Sequence, residues 1–234
     1  MTSVGWLSCS QADVPAEDNW LSARERDTLA ALRLPPRRTD WRLGRWTAKR
    51  AVRSWLAIDV LGDGGLVEIL AAPDGAPEAT VAGRAVPVAL SLSHRDGVAV
   101  CAVAPGGTAI GCDLEAVEPR QDVFAADFFT PQELTVVRSA PPSLRDLVTT
   151  LVWSGKESAL KGVREGLRLD TRDVVVHLAG SPGEAPQQWE AFTVTGPGDR
   201  CFDGRWRLHL GLVFTVVVPA PWDADPIELA ELVS

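Results

Sequence analysis

The pattern of apolar positions along this chain changes period several times. Short β-branched runs bounded by Gly and Pro read as buried strands: Leu66 to Leu70, Val98 to Ala104, Val174 to Leu178 and Leu212 to Ala220. Helix starts fall between them. Ser22-Ala23-Arg24-Glu25 and Thr130-Pro131-Gln132-Glu133 are capping boxes, the second with Pro at the first helical position. A third helix is expected from about Leu147 to Glu165, stopped by Gly166. The longest apolar stretch, Leu210 to Pro221, is about half a membrane span and reads as a strand.

The pattern occurs twice. Trp41-Arg42-Leu43-Gly44-Arg45-Trp46-Thr47-Ala48 resembles Val152-Trp153-Ser154-Gly155-Lys156-Glu157-Ser158-Ala159, 111 positions on. Leu66 to Leu70 leads to Pro73-Asp74-Gly75-Ala76-Pro77, as Val174 to Leu178 leads to Pro182-Gly183-Glu184-Ala185-Pro186. Each copy closes on an apolar strand. These matches predict an α+β fold of two similar helix-plus-antiparallel-sheet halves, residues 1–105 and 106–234, packed about a pseudo-two-fold axis. A groove between such halves is where a ligand is expected.

Composition narrows the function classes. Of the 234 residues, 46% are hydrophobic, enough for a packed core. The net charge of −8 argues against nucleic acid as the main partner. The charge is uneven: Arg24 to Arg53 carries +7 and the remainder −15, which suits either a solvated helix face or a local anionic ligand or acidic partner. Four scattered cysteines without a C-x-x-C pair predict neither a disulfide framework nor zinc. Cys101 and Cys112, in apolar runs, are expected to be buried. No basic-then-apolar leader opens the chain, so a cytoplasmic location without membrane association is expected. Against 20 Arg there are three Lys, Lys49, Lys156 and Lys161. A compact ammonium suits phosphate contacts that the Arg fork does not fit.

Three stretches could carry chemistry. In Ile110-Gly111-Cys112-Asp113-Leu114-Glu115, strand alternation aims Asp113 and Glu115 to one side. Read alone they are either surface acids or a pair that holds a divalent cation. In Trp153-Ser154-Gly155-Lys156-Glu157-Ser158-Ala159-Leu160-Lys161, Glu157 and Lys161 share a helix face, with Trp153, Leu160 and Leu167 as an apolar line. By itself this is an amphipathic helix with a surface pair. In Ser91-Leu92-Ser93-His94-Arg95-Asp96-Gly97, Ser93 and His94 offer a hydroxyl and an imidazole to a phosphate, or His94 is simply a turn histidine. The Val123 to Phe129 aromatics read as core or as a docking surface.

Taken in order, S-x-S-H-x-x-G, I-G-x-D-x-E, F-F-T-x-x-E and W-x-x-K-E-S-x-x-K resemble the surfactin-synthetase-type 4'-phosphopantetheinyl transferases, with Asp113 and Trp153 separated by 40 positions. The resemblance implies transfer of the 4'-phosphopantetheine arm of coenzyme A to a serine of an apo-carrier protein (acyl, polyketide or peptidyl), with release of 3',5'-ADP and dependence on Mg2+. It implies Asp113, Glu115 and Glu157 as metal ligands, Glu157 also as general base, and Lys161 on the transferring phosphate. Arg45, Lys49, Ser93, His94 and Lys156 join Lys161 as the coenzyme A-binding set. Within it, His94, Arg45 and Lys49 resemble the residues around the 3'-phosphate and pyrophosphate. The family's Gly-Lys-Pro is Gly75-Ala76-Pro77 in this chain, so that lysine's contact is lost or supplied by another residue such as Arg84. The expected partners are carrier domains and coenzyme A, with a monomer as the working unit. The rival is a homologue that binds coenzyme A or a carrier without transfer. A coenzyme A-dependent acyltransferase would need a Gly-rich pyrophosphate loop opening a helix, and none is evident.

Overall fold

In a computed structural model, the protein is described over residues 2–58, 67–164, 169–180 and 188–230, without the side chains of residues 122 and 199. Leu66, Glu165, Gly166, Leu167 and Pro182 to Pro186 lie outside the described residues, so the expectations resting on them are not addressed. The chain forms two compact units, one of residues 109–225 and one of residues 2–108 joined by the C-terminal residues from 226 on. Both mix helix with sheet that is antiparallel except where the chain's first strand meets its last, the α+β class that the doubled pattern predicts.

In the first unit to be made, β1 (Gly5–Ser10) leads to α1 (Ala23–Ala31), α2 (Pro35–Trp55), β2 (Val67–Ala71), β3 (Pro77–Val81), β4 (Arg84–Ala85), β5 (Val88–Arg95) and β6 (Val98–Pro105). The strands form a three-stranded sheet, β2-β3-β4, and a four-stranded sheet, β12-β1-β6-β5. Strand β12 (Ile227–Glu228) arrives from the far end of the chain and pairs in parallel with β1. Pro35 and Pro36 open α2 with φ already helical. Its Leu43, Ala48, Ala51 and Val52 are fully buried against Leu7, Cys9, Leu90 and Cys101. Strands β5 and β6 are joined by Asp96 and Gly97, both at positive φ, the conformation a two-residue hairpin needs to match strand twist.

The second unit runs β7 (Gly111–Ala116), α3 (Asp122–Phe128), α4 (Pro131–Ser139), α5 (Arg145–Gly162), β8 (Val175–Leu178), β9 (Glu190–Thr195), β10 (Cys201–His209) and β11 (Leu212–Pro219). These strands make one sheet, β7-β11-β10-β9-β8. Helix α5 starts and ends two to three residues before the expected bounds. The expected strand at Leu210 begins at Leu212, because Leu210 and Gly211 form a positive-φ turn. Cys101 and Cys112 are both buried and reduced.

Both capping boxes form, and each does more than cap a helix. Glu25 is wholly buried and accepts from Ser22 N at 2.8 Å and from Ile69 N of β2 at 3.0 Å. It also pairs with Lys49 Nζ of α2 at 2.7 Å. Glu133 accepts from Thr130 N and from Val176 N of β8, both at 2.8 Å, and pairs with Lys156 Nζ of α5 at 2.8 Å. One carboxylate thus ties a short helix, a long helix and a strand edge in each unit. Lys49 and Lys156 stand 107 positions apart, not the 111 that matched Lys156 to Arg45.

Candidate active site

The acidic cluster is built on β7 and α5. Gly111, Asp113 and Glu115 alternate onto the strand face that meets the helix. The approach is so close that a Cβ on Gly111 would lie 1.7 Å from the Ser158 carbonyl oxygen, so no other residue fits. That contact brings Lys161 Nζ to Asp113 Oδ1 at 2.7 Å and to the Cys112 carbonyl at 3.1 Å. Glu115 accepts from Trp153 Nε1 and from Arg120 Nη2, both at 3.1 Å. Trp153 is held in turn by the edges of Phe124 and Phe128, at 5.0 and 5.2 Å between ring centres. The aromatics of α3 therefore serve the core behind Glu115, while Val123 is exposed.

Glu157 differs from its neighbours. Its Oε1 is buried with no hydrogen-bond partner. Burial raises its pKa first and the Asp113 charge raises it further; Lys161 opposes this, and Glu115 adds to the rise. Burial works against the Lys161 ammonium, yet Asp113, Cys112 and Glu157 together lift its pKa above the ordinary lysine value. The unit therefore holds a carboxylate short of partners beside an ammonium certain to be charged. Glu157 thus feels the charges of Asp113, Glu115 and Lys161, and Lys161 those of Asp113 and Glu157. Among the described residues no three His, Cys, Asp or Glu side chains form a ready-made metal cage. Asp113 and Glu115 already bear the protein donors just named.

The coenzyme A-binding expectations divide. Lys156 is wholly buried, bonded to the Thr171 carbonyl at 2.9 Å, to the Val174 carbonyl and to Glu133. Lys49 is 3% exposed, on Glu25 and on the Trp20 carbonyl at 2.9 Å. Burial pulls both ammonium pKa values down against the pull of their glutamates. Neither reaches a ligand from solvent, so the expected phosphate contacts give way to a structural role. The compact ammonium is used to fill a closed pocket of carbonyl and carboxylate oxygens. Ser93 and His94 also separate: Leu90 and Leu92 of β5 pack in the core cluster of α2, which places His94 on that face and Ser93 on the other. His94 is exposed. Arg45 is half-buried, its guanidinium 4.9 Å from the Trp41 ring centre and its Nε without a partner. Burial lowers its pKa, partly offset by Glu25. Arg84 is exposed on β4.

Several residues around the acids carried no sequence signal. Arg120 lies outside every motif. Ser154, Ser158 and Thr215 are buried and joined by their hydroxyls, with Thr215 61 and 57 positions away from its partners. The only local hint is that Ser154 and Ser158 are polar residues at i, i+4 on the buried face of a helix.

Residues 109–196, which hold the whole acidic cluster, match the model of the 4'-phosphopantetheinyl transferase superfamily. A curated relative in the superfamily, 4'-phosphopantetheinyl transferase HetI of Nostoc sp. (strain PCC 7120), is 35% identical over 79 residues. That alignment covers 33% of this chain, and the chain spans about a third of the length of that relative. Similar solved structures include a holo-(acyl-carrier-protein) synthase from Bacillus anthracis in complex with CoA (3',5'-ADP), at 20% identity and TM-score 0.38 over 45% of this chain and 97% of that one. Another is the Thermotoga maritima holo-[acyl-carrier-protein] synthase, at 22% identity and TM-score 0.35 over 56% and 76%. Among the described residues no helix is long and apolar enough to cross a membrane.

Proposed function

We propose that the protein transfers the 4'-phosphopantetheine arm of coenzyme A to a serine of an apo-carrier protein and releases 3',5'-ADP. The observation that carries this reading is the buried, unpartnered Oε1 of Glu157 beside Asp113 and Lys161, within the segment that matches the superfamily. The carrier serine oxygen forms a bond to the phosphorus that bears pantetheine, and the bond from that phosphorus to 3',5'-ADP breaks. Glu157, or a water it orients, takes the serine proton, a role that its raised affinity for protons favours. Lys161 is held on Asp113 with its charge secured, ready to stabilise negative charge on the phosphoryl oxygens, where most catalysis of such transfers lies.

The chemistry of the donor set suits a hard divalent cation, though the side chains are not gathered into a cage as they stand: the Asp113 and Glu115 carboxylates both act on Glu157, whose buried Oε1 no protein donor meets. Asp113, Glu115 and Glu157 would hold Mg2+, which when bound neutralises pyrophosphate charge. Binding it requires Asp113 and Glu115 to share oxygens now used by Lys161, Arg120 and Trp153. His94 and Arg45 are proposed to hold the coenzyme A 3'-phosphate. Lys49, Lys156 and Ser93 are left out of this set. The working unit is proposed to be a monomer in the cytoplasm.

The test is mass spectrometry of a panel of acyl, polyketide and peptidyl apo-carrier proteins incubated with coenzyme A and Mg2+. The expected result is the phosphopantetheine mass increase on at least one carrier, with stoichiometric 3',5'-ADP. Binding of coenzyme A without modification of any carrier would support the non-catalytic rival instead.

A further inference from the structure

We infer that Thr215, with Ser154 and Ser158, is a positioning residue that holds α5 in the one seating on β11 and β7 at which Glu157 and Lys161 meet Asp113. Thr215 Oγ1 lies 2.8 Å from Ser154 Oγ and 2.6 Å from Ser158 Oγ, and donates to the Ser154 carbonyl at 3.1 Å. Ser158 Oγ also reaches the Thr215 carbonyl at 3.4 Å. All three side chains are fully buried. Thr215 is the β11 residue directly opposite Asp113 in the strand register. On α5, Ser154 and Ser158 are one turn apart, and Ser158 is next to Glu157 and three residues before Lys161. The knot thus ties the residue facing the acid to the turn of helix that carries the base and the lysine.

The other unit shows that the fold does not require this knot. There the strand pair is Leu7 opposite Cys101, matching Asp113 opposite Thr215 when Gly5–Val103 is laid on Gly111–Val217. The shared Glu–Lys pairs align Ser154 with Thr47 and Ser158 with Ala51. Thr47 donates its hydroxyl to the Leu43 carbonyl of its own helix, 2.8 Å away, and also meets the Cys9 side chain of β1, while Ala51 has no hydroxyl. At these three positions the other unit has a methyl, a thiol and a single hydroxyl shared between its own helix and Cys9, and no knot of hydroxyls, where no acids need aligning. In the unit with the acids the packing is met by two serine hydroxyls that both bond the hydroxyl of Thr215. Apolar packing permits sliding along a helix, whereas directional hydrogen bonds among three hydroxyls select one position.

The kinetic arm of the test rests on the transferase reading; the metal-binding arm does not. Thr215→Val keeps the shape and removes the hydroxyl. It is expected to lower kcat for 3',5'-ADP release by about tenfold to hundredfold, the cost of misplacing a reacting group by roughly an ångström, with KM for coenzyme A nearly unchanged. Binding of Mn2+ alone, followed by electron paramagnetic resonance on protein without substrate, should weaken in the same variant. Thr215→Ser should restore both. Parent-like kcat and Mn2+ affinity in Thr215→Val, or a Thr215→Ser variant no better than Thr215→Val, would overturn the inference. If Thr215→Val does not fold, Ser158→Ala decides by the same readings, since alanine is what the other unit carries there. A parent protein that modifies no carrier would sink the transferase reading alone, and the Mn2+ comparison would still decide the role of Thr215.

Discussion

The two units share a framework and differ in what it carries. In both, a capping glutamate is buried on a lysine of the long helix and on a backbone N–H of a strand, through Glu25, Lys49 and Ile69 in one and Glu133, Lys156 and Val176 in the other. Aligned on this framework, Asp113, Glu115, Glu157 and Lys161 fall on Leu7, Cys9, Arg50 and Ser54. Where Glu157 stands among carboxylates, Arg50 reaches the buried Cys9 sulfur at 3.7 Å. The comparison separates two kinds of buried charge. Charges that recur in both units are fully partnered and hold the fold. Among the charges confined to one unit, Glu157 is left with an oxygen without a partner, at an energetic cost that function explains better than stability does.

The largest effect should come from the residue that breaks this symmetry most. Glu157→Gln removes the proposed base without changing shape and is expected to lower transfer about 10²–10⁴-fold while the thermal midpoint is kept or raised. Near-normal turnover would take Glu157 out of the mechanism. The shared framework makes the next prediction. Glu133→Gln and Glu25→Gln each leave a buried lysine uncompensated, and each should cost about 3–5 kcal/mol of stability in denaturant unfolding. A small cost at Glu25 beside a large one at Glu133 would end the equivalence of the two pairs.

A smaller and purely kinetic effect is expected in the unit without the acids. His94→Ala should raise KM for coenzyme A about tenfold to hundredfold, as loss of a charged hydrogen bond worth roughly 1.5–3 kcal/mol implies, with little change in kcat. The parent should prefer coenzyme A over its 3'-dephospho form and the variant should not. Equal preference in the parent would show that His94 does not read the 3'-phosphate.

The smallest effect is on the pH dependence of stability. The folded pKa of Glu157 lies above its unfolded value, so the unfolded chain loses this proton first as pH rises. Stability should therefore fall as pH climbs from the ordinary glutamate range through the folded pKa, the reverse of a salt-bridged acid. In EDTA, unfolding free energies of the parent and Glu157→Gln should diverge across that window. Parallel curves would mean that the carboxyl is not desolvated.

The sequence by itself determined the local features. Both capping boxes, the buried cysteines and the alternation that sends Asp113 and Glu115 to one side depend on neighbours within a few positions, so composition and period reveal them. The aiming of Glu157 and Lys161 along one helix face was legible for the same reason. The partner of each buried charge was decided only by the tertiary structure. Matching the two long helices at 111 positions instead of 107 is a slip of about one helical turn, which keeps the apolar faces in phase. Periodicity therefore could not distinguish Arg45 from Lys49 as the counterpart of Lys156. What distinguishes them is a carboxylate 24 positions before Lys49 and 23 before Lys156, brought in by a separate helix. The roles of Lys49 and Lys156, the separation of Ser93 from His94 across a sheet and the knot at Thr215 have the same origin. A side chain's partner is set by the packing of distant elements, and a burial that excludes water decides whether a lysine meets a ligand or holds the fold.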